Sequence, residues 1–399
     1  MSKDKSGFII AAAFIGPGTV TTASLAGAQF GFHLVWALLF SVVATMILQD
    51  MAARLGIGTG QSLAHCLVSL TDNRFVKKIS IVLIISAIGI GNAAYESGNL
   101  TGAAIGLHSI APIGVSVWAG LLGLIAAALL YSGKYKLIES VLVSLVGLMA
   151  LVFVVTLIVA RPDFATMTAQ LFAPRFDAHT TTMVLALIGT TIVPYNLFLH
   201  ASLVAQAYRG QNQAIAIRAC RRQSAFAIGF GGFITLVIVA TAMTAFFGQA
   251  MALSAANMSE QLAPVLGDKA TWFFGAGMLA AGLTSAITAP LAAAYAICGA
   301  LGKPADLHTP FFKTIWGLVI ATGIIVASAG FKPLSAIVFA QAANALLLPV
   351  VAVFLLAVMN QKTVPAAYRN TPVSNLFGGL TVAFILGLAG NKMLQLFTG

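Results

Sequence analysis

Gly16-Pro17-Gly18-Thr19, early in the chain, and Val193-Pro194-Tyr195-Asn196, near its middle, decide how the rest is read. Each places a proline inside an apolar stretch long enough to cross a membrane. Proline removes a helix hydrogen bond, and glycine tolerates unwound backbone. In lipid, the freed N–H and C=O groups persist only where protein or a polar cavity satisfies them. Broken helices at corresponding places in two halves of a chain point to the binding site of a secondary transporter. Two ordinary proline kinks are the plainer reading, but Gly, Thr and Asn crowd both breaks.

The composition agrees. Of 399 residues, 59% are hydrophobic and only 8% are charged, and mean hydropathy is +0.98. A soluble domain cannot hide that much apolar surface, so the chain reads as an all-α, multi-pass membrane protein. Eleven spans can be marked off, at 8–31, 33–53, 79–107, 112–131, 137–160, 181–207, 223–247, 270–300, 310–329, 333–358 and 373–395. The short charged N-terminus carries no sign of a cleavable signal peptide.

Loop charges set the orientation. With the N-terminus in the cytoplasm, 16 of the 21 Lys and Arg residues fall on the inner side, leaving Arg161, Arg175, Lys269, Lys332 and Lys392 outside. Such a bias places the C-terminus outside the cell membrane. It also accounts for the net charge of +11 without nucleic acid. Arg218, Arg221 and Arg222 could touch anionic lipid heads, although a topology signal explains them equally.

Spans one to five and six to ten form two five-helix units, each opening with its broken helix. An odd number inverts the second unit relative to the first, which is the layout of the LeuT-type inverted repeat. Residues 1–399 are expected to form one transmembrane transport domain, with repeats at 8–160 and 181–358 and an eleventh helix at 373–395.

Enzyme and pump chemistry lack their parts. There is no Walker, HExxH or GxSxG motif, and Cys66, Cys220 and Cys298 share no metal-binding spacing. No cofactor is expected.

Of the ten carboxylates, nine fall in loops, tails or helix ends, and only Glu96 lies deep in a span. An ionisable group at that depth is a functional candidate by default, here for proton or ion coupling; a hydrogen-bonded structural glutamate is the alternative. Asn92, Glu96 and Asn99 share one helix face. Gly98, Gly102 and Gly106 recur every four residues and suit close helix packing. His200, past the second break, could relay protons or sit neutral in the bundle. Gln341 and Asn344, one turn apart in the tenth span, can face a cavity or bond between helices. Thr284, Ser285 and Thr288 precede a kink expected at Pro290 and serve either an ion or packing.

These residues also carry a family resemblance. Gly16-Pro17-Gly18-Thr19, Ala26-Gly27-Ala28-Gln29-Phe30-Gly31 and Ala52-Ala53-Arg54-Leu55-Gly56 resemble the opening of an Nramp-family divalent metal transporter. Val193-Pro194-Tyr195-Asn196-Leu197-Phe198-Leu199-His200 resembles that family's helix-six signature. The resemblance covers nearly the whole chain. It implies a LeuT-type fold, alternating access and, in most of the family, proton-coupled uptake of manganese or ferrous iron.

The departures fall on the chemistry. The family's Asp-Pro-Gly-Asn has Gly16 and Thr19 in place of its metal-ligating Asp and Asn. Its Met-Pro-His has Val193 and Tyr195 in place of Met and His. Of two carboxylates three residues apart in helix three, Glu96 fits the first and Asn99 replaces the second. His200, Gln341 and Asn196 are retained. A dication stripped of water needs anionic or soft ligands, so transition-metal binding is expected to be weak.

Three functions remain open: a carrier of divalent cations, hydrated or bare; a carrier of a small organic solute such as an amino acid; and a non-transporting sensor or scaffold. In the first two, Gly16, Thr19, Glu96, Asn99, Val193, Tyr195, Asn196, Gln341 and Asn344 line the substrate site, with Glu96 and His200 as coupling groups. The oligomeric state is not legible.

Overall fold

The computed structural model describes residues 16–70, 72–133, 136–173 and 178–398. Among these the structure is helical throughout, with no strand. Ten helical segments among them have the length and apolar character to cross a membrane. The described part of the first span is the 14-residue helix Pro17–Phe30; residues 8–15 of that expected span lie outside the described residues.

Proline placement explains where many helices begin. Pro17, Pro194, Pro310, Pro333 and Pro372 each open a helix. At the first helical position the missing N–H would have had no partner anyway. Pro194 differs in having a helix of the same span before it. That span consists of Ala178–Thr191 and Pro194–Ala207, and Ile192 and Val193 between them are not helical. The sixth span is therefore broken where expected. At the first break Gly16 is extended, with ψ of 170°, and the helix starts at Pro17. Pro290 and Pro349 instead lie inside the continuous helices Ala270–Ala300 and Pro333–Met359, so no interruption follows at Pro290.

Three helices run past their expected boundaries. The second span extends to Thr59, not 53. The seventh starts at Gln213, not 223, and carries Arg218, Arg221 and Arg222 on its own helix. The third starts at Arg74, not 79. Polar residues at these helix ends break the hydropathy pattern without breaking the helix. Asn73 and Asn212 cap two of the starts by accepting backbone N–H bonds, worth about 1 kcal/mol each. The third span also contains a π-helical turn, Ile85–Ile90, just before Gly91–Ile110. Such turns re-aim the side chains that follow and concentrate at functional sites.

The spans pack as two interleaved sets. The third lies along the eighth, the Pro17–Phe30 helix along the seventh, the Ala178–Thr191 half of the sixth along the tenth, and its Pro194–Ala207 half along the second. Close approach depends on glycine. A side chain at Gly102 would overlap Pro17, and one at Gly106 would fall 2.5 Å from the Gly275 carbonyl. The glycine row of the third span thus packs as expected, but against the first and eighth spans in turn, with Gly98 facing Ala340 of the tenth.

Candidate functional site

The two breaks meet at the centre of these crossings. Pro194 has no N–H to give, so the Thr190 carbonyl lacks its helical donor. The next carbonyl, of Thr191, lies 3.4 Å from the Thr45 hydroxyl of the second span. Across the halves, the hydroxyls of Thr19 and Thr190 lie 2.9 Å apart. Tyr95 of the third span and Tyr195 of the second break make an edge-on ring contact at 5.4 Å. The direction in which a side chain at Gly16 would project leads to Ser285 Oγ at 3.2 Å and the Tyr95 hydroxyl at 3.8 Å. Four elements therefore converge on the first break: its own backbone, the third span, the eighth span and, through the tyrosine pair, the second break.

The tenth span closes the group. Gln341 is fully buried, and its amide presses against Gly18, where any side chain would overlap it. Asn344 sits one turn on, its Oδ1 3.6 Å from where a side chain at Gly91 would begin. Neither amide nitrogen, nor Gln341 Oε1, has a hydrogen-bond partner among the described residues. The same holds for Asn99 Oδ1 and Glu96 Oε1. Leaving a buried polar atom unpaired costs about 1–3 kcal/mol, and a cluster of them marks a place built for something other than stability.

The expected polar face of the third span divides. Asn92 Nδ2 donates to the Ala289 carbonyl of the eighth span at 3.0 Å, a helix-tying role. Asn99 Nδ2 donates to Glu96 Oε2 at 3.2 Å. Glu96, completely buried, packs on the ninth span, where a side chain at Gly323 would fall 2.5 Å from its Cγ. The ninth-span contact was invisible in sequence because its only mark is one glycine.

Val193 and Asn196 are buried at the second break, and the Asn196 amide N–H turns back to the Val193 carbonyl at 3.1 Å. Thr284 and Thr288 donate to carbonyls of their own helix, which is helix-internal bonding. His200 lies below the break between two other spans. Its Nδ1 is 2.6 Å from Gln49 Oε1 and its Nε2 3.4 Å from Cys220 Sγ. Gln49 Oε1 can only accept, so Nδ1 carries the proton and Nε2 accepts from the thiol. Gln49 and Cys220 were missed in sequence. A glutamine within a membrane-spanning helix was the available signal.

Asp50, which the sequence placed at a helix end, lies inside the second helix next to Gln49 and pairs with both Arg54 and Arg221. Arg54 also donates to the Tyr368 and Arg369 carbonyls and to Asn370 Oδ1. It thus ties the second span to the loop after the tenth.

No three His, Cys, Asp or Glu side chains gather into a metal cage among the described residues. An apolar groove of about 590 Å³ runs past Leu25, Met183, Leu334, Val338 and Leu346; no residue of either break lines it. Around the breaks, the donors on offer are hydroxyl, amide and carbonyl groups, with Glu96 as the nearby carboxyl.

Comparison with known proteins gives these residues a setting. The family model for natural resistance-associated macrophage protein-like sequences matches residues 7–395. A divalent metal cation transporter MntH of Caldanaerobacter subterraneus subsp. tengcongensis is 25% identical over 392 residues, covering 96% of this chain and 90% of that protein. The MntH of Acidiphilium cryptum is 27% identical over 397 residues, covering 96% and 88%. Among solved structures, a manganese transporter of Eremococcus coleocola superposes with a TM-score of 0.74 at 20% identity, covering 96% of this chain and 84% of that one. Mhp1, a nucleobase-cation-symport-1 transporter, gives 0.63 at 13%, covering 98% and 92%. These likenesses, with the broken sixth span, establish the LeuT-type fold.

Proposed function

From its membership of the Nramp family, to which this chain belongs, we propose that it is a secondary-active carrier of a divalent cation that keeps part of its water shell. The observation carrying this is the donor set at the breaks: hydroxyls, amides and carbonyls, with neither a carboxylate at position 16 nor a sulfur at position 193. Neutral hard oxygens suit a strongly hydrated ion such as Mg²⁺, which dehydrates reluctantly and is bound largely through its waters. They give manganese or iron no soft ligand to prefer. Gly16, Thr19, Asn99, Val193, Tyr195, Asn196, Gln341 and Asn344 line this site in our reading. Glu96 is the counter-charge and proton acceptor, and His200 continues the path toward the cytoplasm. The protein works by alternating access in the cell membrane, with a cytoplasmic N-terminus and an external C-terminus, as its loop charges indicate.

A second reading has its own support. Helices begin at Pro17 and Pro194, so both direct N-terminal dipoles toward the breaks, which favours a substrate carboxylate. The Tyr95–Tyr195 pair could stack on an organic solute. MhsT, solved in complex with L-phenylalanine, has the same fold, with a TM-score of 0.58 at 16% identity.

A thermal-shift screen of purified protein separates the two, because a ligand at 100 times its Kd adds about 2.7 kcal/mol to the native state. Stabilisation by Mg²⁺ at millimolar concentration, and none by amino acids, supports the cation reading. Stabilisation by an organic solute with no response to divalent ions overturns it.

A further inference from the structure

We propose that the hydroxyls of Ser285 and Tyr95 bind the substrate cation in the place that a side chain at position 16 would otherwise hold. The proposal rests on the divalent-cation reading above and adds two residues to it, one of them selective.

Gly16 is the extended residue just before the helix Pro17–Phe30, with φ of −87° and ψ of 170°. Any amino acid can adopt that backbone, so glycine is not required there by conformation. What glycine provides is room. From its Cα, the side-chain direction leads between Ser285 Oγ, 3.2 Å from an ideal Cβ, and the Tyr95 hydroxyl at 3.8 Å. Ser285 is 4% exposed and Tyr95 1%. The two come from different spans, the eighth and the third, so their convergence is a tertiary arrangement. Thr284 and Thr288 on the same helix turn their hydroxyls back to carbonyls four residues earlier, whereas Ser285 Oγ points at the break.

Tyr95 has a second contact that fixes it. Its ring stands edge-on against Tyr195 at the other break, so the hydroxyl is aimed by a buried neighbour and not by a mobile stem. A hydroxyl is a neutral, hard oxygen donor able to accept from a hydration water or to touch the ion. Two of them offer a hydrated dication oxygen ligands without the charge that would strip its water. The pair also sets selectivity: an acidic side chain at position 16 would displace Ser285 and substitute an anionic ligand for a neutral one.

The test is a mutant cycle in purified full-length protein, with Mg²⁺ and Mn²⁺ binding read by calorimetry. Ser285→Ala and Tyr95→Phe should each weaken Mg²⁺ about ten-fold, the loss of one good oxygen contact. Ser285→Thr, which keeps the hydroxyl, should restore most of it and controls for folding. In a Gly16→Asp background, Ser285→Ala should change Mg²⁺ affinity less than about two-fold, because the carboxylate has taken the position. If wild-type protein binds Mg²⁺ and neither Ser285→Ala nor Tyr95→Phe alters it, the proposal fails and the cation reading stands. If wild-type protein binds neither ion, both fail together.

Discussion

The hydroxyl of Thr19 sits 2.9 Å from the hydroxyl of Thr190, one just inside the first break and the other just before the second. They are 171 residues apart in sequence. Both are fully or almost fully buried, so the bond joins the two halves of the inverted repeat at the level where each is unwound.

That bond should be measurable as a coupling. Thr190→Val keeps the shape and removes the hydroxyl, and should lower stability by about 1–2 kcal/mol. Thr19→Val should do the same. The double variant should lose less than the sum, with a coupling of about 0.5–1.5 kcal/mol in denaturant or thermal unfolding. Strict additivity would mean that the two hydroxyls do not depend on each other.

Manganese should bind poorly, since position 16 offers no carboxylate and position 193 no sulfur. Restoring both, by Gly16→Asp with Val193→Met, should raise manganese affinity at least about ten-fold, equivalent to about 1.4 kcal/mol. Calorimetry on the wild type and the double variant checks both statements. Micromolar affinity in the wild type would contradict the first.

The architecture was legible where a residue type has one physical use in lipid. Pro194 announced the unwound segment of the sixth span, Pro17 announced the start of a helix, and the apolar runs announced the spans. What stayed hidden depends on which helix lies opposite which. Gly323 in the ninth span looks like any other glycine until Glu96 is seen against it. Gln49 and Cys220 acquire meaning only because His200 lies between them. The early starts of the third and seventh helices were masked because Arg74, Lys77, Lys78, Arg218, Arg221 and Arg222 lower hydropathy while being good or neutral helix formers.

Arg54 should be the most sensitive of the basic residues. It is 5% exposed, and its guanidinium serves Asp50, two loop carbonyls and Asn370. Arg54→Ala strands these acceptors and should cost about 2–4 kcal/mol; the loss is limited because Asp50 keeps Arg221. Arg54→Lys should recover only part, since an ammonium cannot reproduce the planar fork. Proteolysis of the loop around residues 362–371 should accelerate in both variants. Unchanged cleavage rates would show that the loop is held by other contacts.

Cys66 should be a slow thiol. It lies in the short helix Leu63–Val68 between the second and third spans, and burial pushes the thiol above its ordinary range. The thiolate is the reacting form, so at neutral pH little is available. Maleimide labelling of folded protein should therefore be slow at pH 7 and should rise as pH increases through the alkaline range. Mild detergent denaturation should remove the difference from a free thiol. Rapid labelling of Cys66 at pH 7 would show that this loop opens.

Proton coupling, in our proposal, rests on Glu96. It is a completely buried carboxyl, with one oxygen bonded to Asn99 and the other without a protein donor among the described residues. Its stem is pinned against Gly323. A buried carboxylate that lacks a cationic partner is costly, and a proton or a substrate cation relieves that cost. The two ligands therefore compete for one group, which is the physical requirement for coupled movement in opposite or alternating steps. Transport in proteoliposomes should depend on pH and on an imposed proton gradient. Glu96→Gln keeps the shape and the bond to Asn99 but cannot ionise, so it should weaken cation uptake and flatten the pH profile together. Gly323→Ala probes the same contact from the ninth span: its methyl would collide with the Glu96 stem, and it should reduce both stability and uptake. If Glu96→Gln transports at the wild-type rate with an unchanged pH profile, Glu96 is a structural residue and the coupling group lies elsewhere.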